Sequence, residues 1–310
     1  MNVPRGISVV VPTVGRPSLG TLLAALHEAP RPPGVPVEVL VVPDATGAGP
    51  ATTRNRGWRQ AAHEWVAFLD DDVVPDPAWL RRLAADLTVP PEVGGVQGRV
   101  RVPLPDDRRP TDWERVTAGL ADSDWITADM AYRRAALERV GGFDERFPRA
   151  FREDAELAYR VRRAGWELRR GTRTVTHPVR AESRWVSLRT QRGNADDALL
   201  RRIYGPRWRH VLDVPSGRRR RHAAVVAAGA AALGCVVMSA GARRRRWRVA
   251  AGLAATAWLA GTAEFAVSRI RPGPRTRREI CTMVLSSTII PVIAITHWCH
   301  GWWRWRSVDS

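Results

Sequence analysis

Val66-Ala-Phe-Leu-Asp-Asp-Asp-Val-Val-Pro-Asp76 opens as an apolar run of strand character and stops at three consecutive carboxylates, Asp70, Asp71 and Asp72. Adjacent like charges repel, and a folded chain packs three of them together only when something cationic offsets them. Carboxylate oxygens at the exposed end of a buried strand suit a hard divalent ion such as Mg²⁺ or Mn²⁺. Such an ion takes one or two protein carboxylates and fills the rest of its shell with phosphate oxygens and water. Taken alone, the tripeptide fits a solvated acidic turn equally well.

The sequence on either side alternates in pattern. Ile7-Ser-Val-Val-Val-Pro12 and Val37-Glu-Val-Leu-Val-Val42 read as buried strands, and Val66–Leu69 as a third. Leu19–His27, Thr52–Glu64 and Pro77–Leu87 have helical spacing, the last with Asp76 placed to cap it and Pro77 at its first position. Strand alternating with helix predicts an α/β domain with a parallel sheet covered on both faces. Ligands of such sheets bind beyond the carboxyl ends of the strands. Pro12-Thr13, Asp44 and Asp70–Asp72 are therefore expected to converge on one crevice. Gly94–Val102 is a further strand candidate, Arg133–Val140 and Glu153–Ala164 are helix candidates, and Leu168–Thr176 returns to strand character. From Asp112 onward Trp, Asp and Arg mix in an order that defines no element.

A chain of 310 residues holds one large α/β domain and something smaller. Its formal charge of +18 suggests nucleic acid at first, yet all 49 basic residues are Arg and the excess is local. Residues 218–310 hold 16 Arg against Glu264, Glu279 and Asp309, a net of +13; residues 1–217 hold the other 33 Arg against 28 acids, a net of +5. Basic character thus belongs to an otherwise apolar tail, which disfavours a nucleic-acid partner. Cys235, Cys281 and Cys299 all fall in that tail without metal-ligand spacing. Val3–Pro12 is too short and broken for a signal peptide, so the N-terminal domain is expected in the cytoplasm.

The charged break at Pro215–Arg221 sets the expected boundary between a domain at 1–215 and a tail at 216–310. Three apolar segments follow: His222–Ala242, Val249–Ala263 and Ile280–Trp298. A membrane span needs about 20 apolar residues. The first and third segments qualify, and the second is marginal with Glu264 at its end. Trp298, Trp302, Trp303 and Trp305 resemble an interfacial anchor, and a soluble bundle of Ala/Gly-rich helices stays open as the alternative. Orientation is left open, because three spans would place either Arg243–Arg248 or the Arg269–Arg278 loop on the outer side, against the positive-inside tendency. A segment lying in the interface would relieve that conflict.

Two further stretches carry chemistry: Ala128-Asp-Met-Ala-Tyr-Arg-Arg-Ala-Ala-Leu-Glu-Arg-Val-Gly-Gly-Phe-Asp-Glu145 and Phe151-Arg-Glu-Asp-Ala-Glu-Leu-Ala-Tyr-Arg-Val-Arg-Arg-Ala-Gly165. With Val9-Val-Val-Pro-Thr13 and Phe68-Leu-Asp-Asp-Asp72 they occur in the order of the family 2 glycosyltransferases of the GT-A fold, and the chain resembles that family over about residues 5–180. The resemblance implies a nucleotide-sugar donor and a divalent cation, Mn²⁺ or Mg²⁺. It implies that Pro12 and Thr13 line the nucleotide site, that Asp44 accepts a hydrogen bond from the base, and that Arg54 lies near the nucleotide. Asp70 would face the ribose or the metal shell, Asp71 would lie on the donor side, and Asp72 would be the metal ligand beside the diphosphate. A leaving diphosphate gains charge that a cation stabilises as the bond breaks.

Glu153-Asp154 matches the family's acceptor-side acid pair, with Asp154 the general base and Glu153 sharing its orientation. Direct displacement at the anomeric carbon needs a carboxylate across the sugar from the diphosphate. His177 falls where some relatives place a third metal ligand, and Trp166 either stacks on an acceptor sugar or packs in the core. Asp129 departs from the family, which often carries Asn there, and an extra acid could alter donor or acceptor contacts. The expected activity is an inverting, metal-dependent transfer to a lipid-linked or envelope glycan acceptor at the cell membrane. Two rivals remain at this level: a GT-A-like nucleotidyltransferase, for which Gly15-Arg16 is too slight a phosphate loop, and a non-catalytic sugar-binding membrane protein.

Overall fold

The computed structural model describes residues 3–240 and 244–308. Ala242 and Arg243, at the edges of the first apolar segment and the second arginine cluster, and Asp309, one of the tail's acids, lie outside the described residues. The chain divides into two compact units, Met1–Leu104 with Val116–Arg180 and Val211–Asp213, and Pro105–Arg115 with Ala181–His210 and Val214–Ser310.

Up to Thr176 the elements run β1 (Ile7–Thr13), α1 (Ser18–Glu28), β2 (Val37–Pro43), α2 (Pro50–Gln60), β3 (Trp65–Leu69), β4 (Val74–Pro75), α3 (Trp79–Asp86), β5 (Val93–Arg101), α4 (Asp112–Ala118), β6 (Asp129–Arg133), α5 (Arg134–Val140), α6 (Glu153–Arg163) and β7 (Glu167–Thr176). The strands form one sheet in the order β2-β1-β3-β6-β5-β7-β4. β1 pairs in parallel with β2 and β3, and β5 with β7, as the alternation predicts. The sheet is nonetheless mixed rather than parallel, because β6 runs antiparallel between β3 and β5, and β4 antiparallel to β7. β6 is buried along its whole length. It therefore shows no polar alternation, and its five residues gave no signal by which to read a strand or its direction.

Alternate residues of the central strands feed two cores. Val9, Val11, Ala67 and Leu69 face α1 and α3 through Leu22, Leu26, Trp79 and Leu83. Val10, Val66, Phe68, Met130 and Tyr132 face α2, α5 and α6 through Trp58, Leu137 and Leu157. Because both faces are covered, the strands read as continuous apolar runs, and their carboxyl ends are left as the open edge.

Two helix boundaries differ from expectation. α2 begins at Pro50, a favourable first position, and ends at Gln60, four residues before Glu64. α3 begins at Trp79, whose N–H is accepted by the Asp76 main-chain carbonyl at 2.8 Å. Asp76 and Pro77 thus make the turn that precedes the helix, and no side-chain cap is formed.

Asp129 is fully buried inside the sheet layer. It accepts hydrogen bonds from Arg173 Nε at 2.7 Å and from Trp79 Nε1 at 2.8 Å, and Arg173 also reaches Asp86 at 3.3 Å and the Val96 carbonyl at 2.7 Å. Gly98 makes room for this acid, since a Cβ there would lie 2.1 Å from Asp129 Oδ2. The departure from the family pattern is answered by a buried arginine within the sheet.

The second unit is helical: α7 (Val186–Arg189), α8 (Asn194–Tyr204), α9 (Trp208–Val211), α10 (Arg219–Met238), α11 (Arg244–Ile270) and α12 (Arg277–Arg304). Three of these, α10, α11 and α12, are long and apolar enough to cross a membrane. The middle segment is longer than Val249–Ala263 suggests and forms a continuous helix of 27 residues. Glu264 pairs with Arg218 and, at 3.2 Å, with Arg221, so its charge is offset from α10. α10 packs on α11 where Gly229 faces Trp258 and Gly261 faces Val225. α12 meets α8 where Gly301 lies against the Ala195 backbone. Arg269, buried near the end of α11, donates to Ser286 at 2.8 Å and pairs with Asp112 at 2.6 Å. Leu233, Val237 and Leu253 stay exposed, an apolar surface on α10 and α11.

Replacing Asp129 by Asn leaves Arg173 with Asp86 as its one carboxylate among those described. Urea denaturation of the variant should show a loss of about 3 kcal/mol, the cost of breaking a buried pair from one side. A loss below about 0.5 kcal/mol would mean that Asp86 holds the arginine alone.

Candidate functional site

The open edge of the sheet holds a cleft of about 340 Å³. Pro12 and Thr13 enter it from the end of β1, Asp44 from the loop after β2, Asp70 and Asp72 from the end of β3, and Arg54 from α2. Six of the residues singled out in the sequence therefore meet here. Asp71 does not line the cleft. It is buried, accepts the Thr13 hydroxyl at 2.6 Å and pairs with Arg16. Its place is to pin the end of β1 to the end of β3.

Asp44 holds the loop that follows it, its two oxygens accepting the Ala48 and Gly49 N–H groups, each at 2.9 Å. Gly49 has φ +94 and packs so closely on Pro148 that a Cβ would lie 2.5 Å from its carbonyl oxygen. That approach brings Pro148, Arg149 and Ala150 to the rim. No motif marked this segment in the sequence. Arg16 also lines the cleft, and its sequence signal was the Gly15-Arg16 pair after the first strand.

Asp72 is buried against His177 and Arg180, with Oδ1 3.5 Å from His177 Nε2 and Oδ2 3.2 Å from Arg180 Nε. Burial raises its pKa, the Asp70 carboxylate adds to the rise, and His177 and Arg180 oppose it. His177 Nδ1 lies 3.2 Å from the Pro178 carbonyl. A proton on Nδ1 leaves the Nε2 lone pair turned toward Asp72, and two lone-pair donors facing across that gap suit a cation. Among the described residues no group of three His, Cys, Asp or Glu side chains is placed to hold a metal ion, so Asp70, Asp72 and His177 do not form a ready-made three-ligand site. The set fits an ion that draws most of its ligands from phosphate and water. Arg180, three residues beyond His177, was not singled out in the sequence.

At the start of α6, Arg152 takes a left-handed conformation with φ +76, and the chain turns there so that Glu153 and Asp154 open the helix. Glu153 is buried. Its Oε1 accepts from Arg54 Nη1 at 2.8 Å, while Oε2 finds no hydrogen-bond partner among the described residues. The other terminal nitrogen of Arg54, Nη2, donates to Asp70 at 2.8 Å. One guanidinium therefore spans from the β3 acids to the α6 acids. Asp154 accepts from the Ala155 N–H at 2.7 Å. Burial pushes Glu153 up to about 8, with Asp154 adding and Arg54 opposing. Asp154 is also raised, by burial first. Trp166 packs against Gly94 of β5 and flanks the core under α5 and α6.

Residues 4–194 match the model of the family described as glycosyltransferase like family 2. The chain belongs to glycosyltransferase family 2. Over 167 residues it is 31% identical to the pre-mycofactocin glycosyltransferase of Mycobacterium tuberculosis, an alignment covering 49% of this chain and 34% of that protein. The chain thus spans about a third of the length of the curated relatives it matches. Among solved structures it is similar to the mannosyltransferase PcManGT from Pyrobaculum calidifontis, in complex with GDP-Man and Mn²⁺. That match has a TM-score of 0.56 at 17% identity and covers 97% of this chain and 88% of the other. At that identity the likeness shows the fold, a mixed α/β GT-A sheet domain followed by long helices.

The acid pair of this family 2 chain makes a pH prediction. Unfolded, Glu153 titrates near 4.5, and folded near 8, so between those values the folded chain holds a proton that the unfolded chain has released. Stability contributed by Glu153 is full below about pH 4.5 and is lost as pH rises toward about 8. Glu153→Gln removes that loss. The melting temperature of the variant relative to the parent should rise steadily from pH 5 to pH 8, and a difference that stays flat would place the proton elsewhere.

Proposed function

We propose that this family 2 glycosyltransferase moves a sugar from a nucleotide-sugar donor to a lipid-linked or envelope glycan, with inversion, at the cytoplasmic face of a membrane. The reading rests on one arrangement: Asp70 and Asp72 line a cleft on the sheet's open edge, and Arg54 joins Asp70 to the buried Glu153, which opens α6 beside Asp154. The cleft acids support donor binding. Asp70, Asp72 and His177 would hold a divalent cation, which supplies charge stabilisation to the departing diphosphate. Pro12, Thr13 and Asp44 line the place for the nucleoside, and Arg16 and Arg149 add positive charge at the rim.

The α6 acids support proton removal. Asp154 takes the proton of the acceptor hydroxyl as that oxygen attacks the anomeric carbon, and its raised pKa brings it nearer the working pH than an exposed aspartate. Attack from the side opposite the diphosphate inverts the anomeric configuration. Residues 1–215 are read as the catalytic domain. Residues 216–310 are read as its membrane tail, on the three long apolar helices, their exposed apolar surface and the arginines that bracket them.

A panel of nucleotide sugars, with GDP-mannose first because the matching fold holds it, tests the reading through Mn²⁺-dependent hydrolysis and transfer. Asp72→Ala should lose metal-dependent donor binding in calorimetry while its melting temperature is kept. Asp154→Asn should bind the donor normally and turn over about 10²–10⁴-fold more slowly. Near-normal turnover in Asp154→Asn would move the base elsewhere.

The tail is tested by fractionation. Full-length protein should stay with membranes through high salt and alkaline carbonate, since arginines at headgroups contribute only about 1 kcal/mol each and the apolar helices the rest. Release by salt alone would reduce the tail to a peripheral basic anchor.

A further inference from the structure

Arg54 is expected near the nucleotide and lines the cleft, and its surroundings describe a further task. Its side chain is 2% exposed, and its two terminal nitrogens are each committed at 2.8 Å, Nη2 to Asp70 and Nη1 to Glu153. The guanidinium carbon lies 5.5 Å from the centroid of the Phe143 ring. Phe143 is itself fixed, because its N–H donates to Asn55 Oδ1 and its carbonyl accepts from Asn55 Nδ2, both at 2.9 Å. Asn55 follows Arg54 on α2, so the arginine's root and the ring it faces are tied to each other. Asp70, at the other end, is 29% exposed and opens on the cleft. The geometry points to Arg54 as a positioning residue: a buried strut that sets the separation between Asp70 on the donor side and Glu153 on the acceptor side, and that competes with the cation for Asp70.

The chemistry of the side chain supports this. A guanidinium presents several N–H donors in a rigid plane and can bond two carboxylates in fixed directions, which a single ammonium cannot do. Both carboxylates sit on different elements, β3's end and α6's first turn, so a rigid link between them fixes how far the diphosphate stands from the base. Catalysis of this kind is sensitive to misplacement by about 1 Å. A strut also has an electrostatic signature that a donor ligand lacks. Its positive charge lies on the carboxylate the cation needs, so removing it should make the metal site more attractive, not less.

The proposal rests on the donor-site reading above, and full-length protein in detergent tests the two separately. Mn²⁺ affinity is read from the resonance signal of free Mn²⁺, and GDP and UDP affinity at saturating Mn²⁺ from calorimetry. In Arg54→Gln, Mn²⁺ should bind about tenfold more tightly, while the affinity for whichever diphosphate the parent binds stays within about threefold. Arg54→Lys keeps the charge but cannot span both acids. It should bind Mn²⁺ and the diphosphate as the parent does, and turn over the donor found in the panel at least about tenfold more slowly, with KM unchanged.

Arg54→Lys also covers the case in which the neutral variant does not fold. Unchanged or weaker Mn²⁺ binding in Arg54→Gln overturns the strut. Restored turnover in Arg54→Lys, or a tenfold loss of diphosphate affinity in either variant, makes Arg54 a donor ligand and also overturns it. Failure of the parent protein to bind Mn²⁺ with either diphosphate removes the donor-site reading, and the strut falls with it.

Discussion

The sheet unit must hold Asp70, Asp71, Asp72, Glu153 and Asp154 close together, and the build of the cleft follows from how that negative charge is offset. Burying carboxylates side by side is unfavourable unless cations or hydrogen-bond donors meet them. Each acid here has its own answer. Asp71 is met by Thr13 and Arg16, Asp72 by His177 and Arg180, and Asp70 shares Arg54 with Glu153. Asp154 has a main-chain N–H of its own helix. The offset is incomplete where chemistry is expected: a Glu153 oxygen is left without a partner, and Asp72 is held above its ordinary pKa.

This division explains how far the sequence could be read. The strands that end at Thr13 and Leu69 were legible because both their faces are covered, the partly buried edge strand that ends at Pro43 because its run is rich in Val, and the stop at a polar residue marks the edge. Convergence of Pro12, Thr13, Asp44, Asp70 and Asp72 followed from the rule that strand ends face the ligand. The direction of β6 was not legible, since a five-residue strand buried along its whole length has the same pattern in either orientation. Nor did the residues alone separate Asp70, Asp71 and Asp72, and the resemblance put Asp71 on the donor side, whereas it is buried against Thr13 and Arg16. Adjacent strand-end residues point in opposite directions, and only the partners, Arg54, Arg16 and Arg180, decide which carboxylate faces the cleft. Those partners lie at sequence distances that no local spacing connects.

The helical unit obeys the same constraint with apolar surface in place of acid. Glu264 and Arg269 place charges within the continuous helix α11, and from sequence alone Glu264 made the middle segment look marginal. The structure gives each a partner within the unit, Arg218 with Arg221 for the first and Asp112 with two serines for the second. A helix with internally matched charges is compatible with an apolar environment in a way that a hydropathy window does not register. The Trp-rich end is likewise bound to arginines: Arg202 lies 3.5 Å from the Trp302 ring and Arg219 3.8 Å from the Trp298 ring. These contacts join the Trp-rich end of α12 to α8 and α10.

The buried trio of Gly98, Asp129 and Arg173 carries an evolutionary consequence. The three sit on β5, β6 and β7, so neighbouring strands of one sheet have pooled their freedom to vary. A lineage that acquired Asn at 129 first would carry an arginine short of a partner in its interior. One that lost Arg173 first would carry an unmatched anion, and any side chain at 98 is blocked while Asp129 stays. Drift at these positions is therefore confined to joint change or to a background with stability to spare. Descendants of this branch should keep or lose the three together, which would make the trio a lineage marker independent of the residues at the cleft.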